Sequence, residues 1–206
     1  MTIGLKENEP LLSALERLVE IPQPEREFFR TLVERRTVPA QSHYVRAGEP
    51  TADIGFCVQG LFRLYYTTAD GVEYNKNFCG QNQYVASYSS LLMNEPAYFS
   101  IQALVDSELL VVRFKDFEAL FDRHACWEKL GRKIAESMFI SKEKRERELL
   151  MLSAEERYRL FLGQYKHLEN QIPQYHIASY LGITPVALSR IRRRLTLVNV
   201  KIRSPF

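Results

Sequence analysis

The sequence predicts an α+β chain: an N-terminal antiparallel β-roll preceded by helices, a long central helix, and a helix-turn-helix at the C-terminal end. Three observations predict it. Apolar residues alternate with a period of two between about Thr37 and Phe114. From Trp127 they recur every three or four residues. The stretch "HIASYLGITPVALSRIRRRL", residues 176–195, sets a small residue four positions before a glycine with aliphatics on both sides. The expected divisions are 1–125 for the roll and its helices, 126–152 for the long helix and 153–206 for the helix-turn-helix.

Residues 11–35 read as helix. Leu11, Leu12, Leu15, Leu18 and Val19 make one apolar face, and Phe28, Phe29, Leu32 and Val33 another after a break at Pro22 and Pro24. In the roll, Ile54, Phe56 and Val58 alternate, as do Phe62, Leu64 and Tyr66, then Ile101, Ala103 and Val105. Gly48, Gly60, Gly71 and the "TTADG" stretch punctuate these runs as turns do. Short strands at such spacing imply an antiparallel sandwich or roll. Helix returns in "KDFEALFDRH" and then from Trp127, where Trp127, Leu130, Ile134 and Met138 form a stripe narrow enough for a coiled-coil seam. Its flanks, continuing through "SKEKRERELL", are strongly charged, which favours a dimer interface over burial within one chain.

The C-terminal stretch meets the demands of two helices crossing a short turn. Ala178 is small where the helices approach, and Gly182 supplies the positive φ of the turn. Ile177, Leu181, Ile183, Leu188 and Ile191 fill the wedge, Thr184 stands as an N-cap and Pro185 opens the second helix. Charge is distributed unevenly. Residues 171–206 hold six basic side chains and no acidic one, so a chain of net charge +3 is −3 before Gln171. A basic tail on a slightly acidic body points to a polyanion bound by the tail.

Composition excludes other classes. With 46% hydrophobic and 26% charged residues the chain reads as globular. No apolar run approaches the roughly 20 residues of a membrane span, so no membrane partner is expected. The N-terminus "MTIGLKENEP" has no signal-peptide core, and the cytoplasm is the expected compartment. Cys57, Cys79 and Cys126 form neither a CxxC pair nor a disulfide framework. His43, His124, His167 and His176 are dispersed, without the HxH spacing of a cupin-like metalloenzyme, and no GxSxG elbow occurs. No metal, cofactor or catalytic residue is therefore expected.

The order of parts resembles the Crp-Fnr transcription regulators. "HYVRAGEPTADIGFCVQGLFRLYYTTADGVEYNKNF" resembles that family's sensor roll, with its cyclic-nucleotide-binding-like fold. "LSAEERYRLFLGQYKHLENQIPQYHIASYLGITPVALSRIRRRL" resembles its DNA-binding end. The resemblance implies a homodimer on a two-fold symmetric double-stranded DNA site, with second helices about one turn of DNA (~34 Å) apart. It also implies RNA polymerase and an unknown small-molecule effector as candidate partners.

Two departures from the family pattern carry consequences. Its nucleotide cassette has a Gly-Glu pair and a later Arg-Ser pair, because arginine neutralises the cyclic phosphate bidentately. Here Ala86 and Ser87 stand near the first pair, and Phe99 precedes Ser100 where the arginine would be. No lysine, arginine or histidine lies between Asn77 and Val112, so cyclic AMP is a poor ligand on this reading. What remains, Tyr84, Ala86, Ser87, Tyr88, Ser89, Phe99 and Ser100, is a candidate pocket for an uncharged ligand, with aromatic core as the competing assignment. In the second helix Pro185 and Val186 replace the family's early base readers, and Arg190 alone matches. The candidate DNA set is Thr184, Val186, Ala187, Ser189, Arg190, Arg192, Arg193 and Lys201. Within it Arg190 suits a guanine edge, Val186 a thymine methyl, and Arg192, Arg193 and Lys201 phosphates. A module of the same fold that has lost specific DNA binding is the alternative. "LVNVKIR" provides one short strand, too little for a full wing.

Overall fold

The computed structural model describes residues 9–166 and 168–202. The first eight residues, His167, and Arg203 with the three residues after it lie outside the described residues. So do the side chains beyond Leu195, that of Lys201 included. Two short helices lead in, α1 (Glu9–Glu16) and α2 (Gln23–Leu32), separated where the sequence places Pro22 and Pro24. Proline is tolerated there because the first helical N–H groups have no partner to lose.

Eight strands follow: β1 (Glu34–Val38), β2 (His43–Val45), β3 (Asp53–Gln59), β4 (Phe62–Thr67), β5 (Glu73–Cys79), β6 (Tyr84–Val85), β7 (Ser100–Ala103) and β8 (Ser107–Arg113). A single turn-and-a-half of helix, α3 (Tyr88–Met93), interrupts them. They form two four-stranded sheets, ordered β1-β8-β3-β6 and β2-β7-β4-β5. Every pair is antiparallel, as the predicted roll requires.

Strand alternation distributes the apolar residues into layers. Cys57, Phe62, Leu64, Phe99, Ile101, Leu109 and Val111 fill the space between the sheets. On the other face of the first sheet Phe56, Leu110 and Val112 meet α1, α2 and the helices after β8. On the other face of the second sheet Leu61 and Phe78 meet the C-terminal helices. The run Ile54, Phe56, Val58 therefore faces helix and not the opposing sheet, a distinction a period of two cannot make. At the β3–β4 turn Gly60 has φ +119°, and a Cβ there would collide with the Ser107 side chain. Both backbone and space demand glycine.

After β8 come α4 (Phe114–Ala119), α5 (Ala125–Met151), α6 (Ala154–Gln164), α7 (Gln174–Leu181) and α8 (Pro185–Ile202). The His124 side chain caps α5 by accepting from the Cys126 N–H, and Ser153 with Glu156 closes a capping box on α6. Two expectations are corrected here. Trp127 and Leu130 do not form a seam: both are fully buried inside one chain, against α1, α2 and α4. Ile134 also packs on that cluster, and of the four predicted seam residues only Met138 is exposed. The indole N–H explains the arrangement, because Trp127 Nε1 donates to the buried Glu25 Oε2 at 2.9 Å, which Arg123 Nε also reaches at 2.9 Å. The apolar stripe is thus an intramolecular contact over its first turns. Second, "LVNVKIR" is no strand: α8 runs helically to Ile202, so its described residues form no wing.

The Glu25 knot ties α2 to the root of α5. Its carboxyl lies below the usual range, first because of the Trp127 hydrogen bond and then Arg123. Glu25→Ala leaves a buried indole N–H without an acceptor and should cost about 1–3 kcal/mol in urea unfolding. Because the folded pKa is lowered, the ionised pair contributes stability above the ordinary 4.5 and loses it as pH falls through the folded value. The variant should therefore lose less stability than the parent on acidification.

Candidate nucleic-acid interface

The turn between α7 and α8 is built as its sequence requires. Gly182 ends α7 in the left-handed region at φ 68°, its N–H bonding to the Ser179 carbonyl at 3.0 Å. The Ile183 N–H closes back on the Ala178 carbonyl, also at 3.0 Å. Ala178 and Leu181 have no exposure, and Ile177, Leu188 and Ile191 are buried with them. Tyr158 and Phe161 of α6 complete the wedge from behind. Thr184 Oγ1 accepts the Ala187 N–H at 3.2 Å and Pro185 begins the helix, so the predicted N-cap is present.

With Leu188 and Ile191 inward, α8 turns Val186, Ser189, Arg190 and Arg193 outward at spacings of three and four. Val186 is 62% exposed. Ala187 is half-buried and Thr184 is exposed. Arg192 lies on the flank, where its charge reaches Tyr158. Arg194, also on the flank, pairs with Glu155 Oε2 of α6 at 3.3 Å. The helix begins with an uncharged first turn followed by a cationic front. Lys201 lies in the last turn of α8, its side chain outside the described residues.

The first helix is held by a set of contacts absent from the predicted site. α7 lies along β5, an edge strand of its sheet. The Asn75 N–H donates to Ser179 Oγ at 2.9 Å, and that hydroxyl donates to the Glu73 carbonyl at 3.1 Å. Asn75 Nδ2 reaches His176 Nδ1 at 3.1 Å, with Arg63 Nη1 3.4 Å from the same nitrogen. Burial, then Arg63, lowers the His176 pKa to about 4, so the imidazole is neutral. Tyr165 OH donates to Asn77 Oδ1 at 2.8 Å, and Phe78 packs among Phe161, Tyr165 and Tyr180. From α5, Arg145 covers the Tyr180 ring at 3.9 Å and donates to the Tyr180 carbonyl. Only the outward parity of Arg63 and Phe78 among inward strand residues hinted at this contact in the sequence.

The predicted pocket residues make packing and hydrogen-bond contacts. Tyr84 packs edge-on against Phe56, Tyr88 against Phe114, and Phe99 against Tyr66. Ser87 and Ser90 are buried and bond to each other at 3.0 Å, while Ser100 Oγ accepts the Ala47 N–H. Ser89 is exposed and Ala86 half-buried. Each of the three rings has an aromatic partner, as the competing core assignment expects. The sheet also adds a cation that the cassette lacks: Lys76 on β5 sets its Nζ 3.9 Å above the Phe99 ring. Burial, then the charge of Lys142, lowers its pKa to about 8. Among the described residues no three His, Cys, Asp or Glu side chains come together as metal ligands, and no helix is long and apolar enough to cross a membrane.

Residues 35–124 match the cyclic nucleotide-binding domain. No curated protein sequence matches the chain. Among solved structures, FixK2 from Bradyrhizobium japonicum superposes with a TM-score of 0.69 at 19% identity, over 81% of this chain and 86% of that one. A transcriptional regulator of the Crp/Fnr family from Eubacterium rectale does so at 0.67 and 15%, over 86% and 84%. The catabolite activator protein of Thermus thermophilus reaches 0.53 and 24%, over 96% and 86%. At these identities the likeness is one of fold.

Proposed function

We propose, for a chain that carries a cyclic nucleotide-binding domain at residues 35–124 and the overall fold of the Crp/Fnr regulators, that it is a dimeric, non-enzymatic DNA-binding regulator of the cytoplasm. The division into a sensor roll (1–125), a dimer helix (126–152) and a DNA-binding end (153–206) belongs to this reading, with RNA polymerase and an unidentified effector as further partners. The observation that carries it is the front of α8, where exposed Val186, Ser189, Arg190 and Arg193 stand on one face and no acidic residue follows Gln171. A helix of this kind enters the major groove N-terminus first. Val186 and Arg190 then lie against base edges, and Arg193, a turn further on, against the backbone where the helix leaves the groove.

Dimerisation is supported by α5 beyond its buried root. From Ala135 to Lys144 every residue is exposed, including Phe139 and Ile140 at 65% each. Solvent on all sides of such side chains is what a missing partner helix leaves behind. Phe139→Glu combined with Ile140→Glu should yield monomers by light scattering without loss of the helical circular dichroism signal. A dimer that survives both changes places the seam elsewhere.

Weak cyclic AMP binding follows from the cassette. Phe99 is 2% exposed where a phosphate-binding arginine would be, and the Lys76 ammonium already rests on that ring as a point charge. Calorimetry with millimolar nucleotide should detect little heat, whereas a micromolar dissociation constant would overturn this part.

For DNA, affinity and specificity should separate by residue. Arg190→Ala should cost about 1–3 kcal/mol on the specific site and relax base preference at one position per half-site. Arg193→Ala should weaken all sequences alike and shallow the salt dependence by about one unit of slope for each phosphate left without its counter-charge. If both variants lower specific and nonspecific binding by one factor, the chain reads charge and shape alone. If the parent binds no DNA at moderate salt, it is the non-binding module of the same fold.

A further inference from the structure

The contact between roll and helix-turn-helix contains three buried polar side chains: Arg63 of β4, Asn75 of β5 and His176 of α7, each no more than 6% exposed. Arg63 can only donate. Its Nη1 lies 3.4 Å from His176 Nδ1 and 2.5 Å from Glu73 Oε2, and its Nε donates to Gln102 Oε1 at 2.7 Å. Asn75 Nδ2 also points a hydrogen at His176 Nδ1, at 3.1 Å. Two donors on one ring nitrogen require that nitrogen to be a bare lone pair. In this orientation Asn75 Oδ1 is buried without a partner, while exchanging oxygen and nitrogen would set the oxygen against the His176 carbonyl, 3.5 Å from Nδ2.

We propose that this contact is an acid-opened latch, in which a proton on His176 Nδ1 sets a third donor against Arg63 and Asn75 and frees α7 from the edge of β5. The charges facing the ring are Arg63, which opposes the proton, and Glu73, which favours it but is already engaged by Arg63. Tyr175 packs on the imidazole from α7 itself, ring centroids 4.1 Å apart. On its far side Arg63 stacks on Tyr65 at 3.8 Å, and the Tyr65 hydroxyl meets His43 Nε2 at 2.8 Å. Arg63 thus stands between two histidines, and burial followed by Arg46 and Arg63 lowers the pKa of His43 as well.

The sign follows from linkage. A histidine whose docked pKa is lowered binds its proton more readily when undocked, so docking is strongest above 6.5 and weakens as pH falls toward the docked value. With that value near 4, the docking equilibrium should fall roughly 20-fold between pH 7 and pH 5. The latch concerns how α7 and α8 are held on the roll, and it stands whether or not α8 reads DNA.

Native-state amide exchange on the full chain, corrected for the intrinsic pH dependence, is the test. Protection across residues 73–79 and 174–182 should drop about 20-fold from pH 7 to pH 5 while β8 keeps its protection. His176→Asn retains an acceptor without the titration and should flatten that profile. The proposal is overturned if the parent shows no drop, if β8 loses protection equally, or if the variant drops as the parent does. Should the variant not fold, the His176 ring proton shifts of the parent decide: a midpoint below 5 supports the latch, and one near 6.5 removes it.

Discussion

Strand β5 lies at the edge of its sheet, and an edge strand carries backbone groups that no ladder satisfies. In this chain a helix supplies the partner. Ser179 takes the Asn75 N–H and returns its hydroxyl proton to the Glu73 carbonyl, so a single side chain stands in for part of a neighbouring strand. The consequences spread from there. With α7 fixed on β5, Phe78 is covered by Phe161, Tyr165 and Tyr180, and the helix pair gains a third wall made of sheet. The outward face of α8 is what that arrangement leaves uncovered. Displacing α7 from the roll would expose both a sheet edge and an aromatic cluster, so the two parts are energetically coupled.

The long helix shows how one apolar stripe can meet two different surfaces. Trp127 and Leu130 go into the roll's own helical layer, where the indole N–H meets Glu25 and the Arg123 guanidinium joins the same carboxylate oxygen. Beyond Ile134 the helix leaves that layer, and Met138, Phe139 and Ile140 meet solvent. The periodicity is continuous across the change, since helix geometry depends on spacing and not on which surface receives the side chains. The root of α5 is therefore a fold contact, and its middle is an exposed surface.

The roll has the architecture of the cyclic nucleotide-binding domain that residues 35–124 match. Phe99 is fully packed, and the serine that follows it, Ser100, accepts the Ala47 N–H. Lys76 sets its ammonium over the Phe99 ring, lowered in pKa by its burial and by Lys142. A lone ammonium on a ring is a weaker and less directional phosphate receptor than an arginine fork. Counting cations from Asn77 to Val112 stops one residue short of this lysine, and only the folded sheet shows that its ammonium reaches the Phe99 ring.

Periodicity, punctuation and local geometry were decidable from the residues alone. Ala178, Gly182, Thr184 and Pro185 state their conformations through size, φ and hydrogen-bonding capacity, and the two-residue alternation from Thr37 to Phe114 states a roll. These are short-range matters, settled by each residue and its near neighbours. The tertiary structure decided which of two receiving surfaces each apolar face meets: helix for Phe56, a roll layer for Trp127, the C-terminal helices for Phe78. It also decided that His176, Asn75 and Arg63 form one buried polar group. Those three residues lie up to 113 positions apart, and their types are equally at home on a solvated face. Only the closing of α7 onto an edge strand brings them together, and removing them from water is what turns ordinary polar side chains into a contact with a required protonation state.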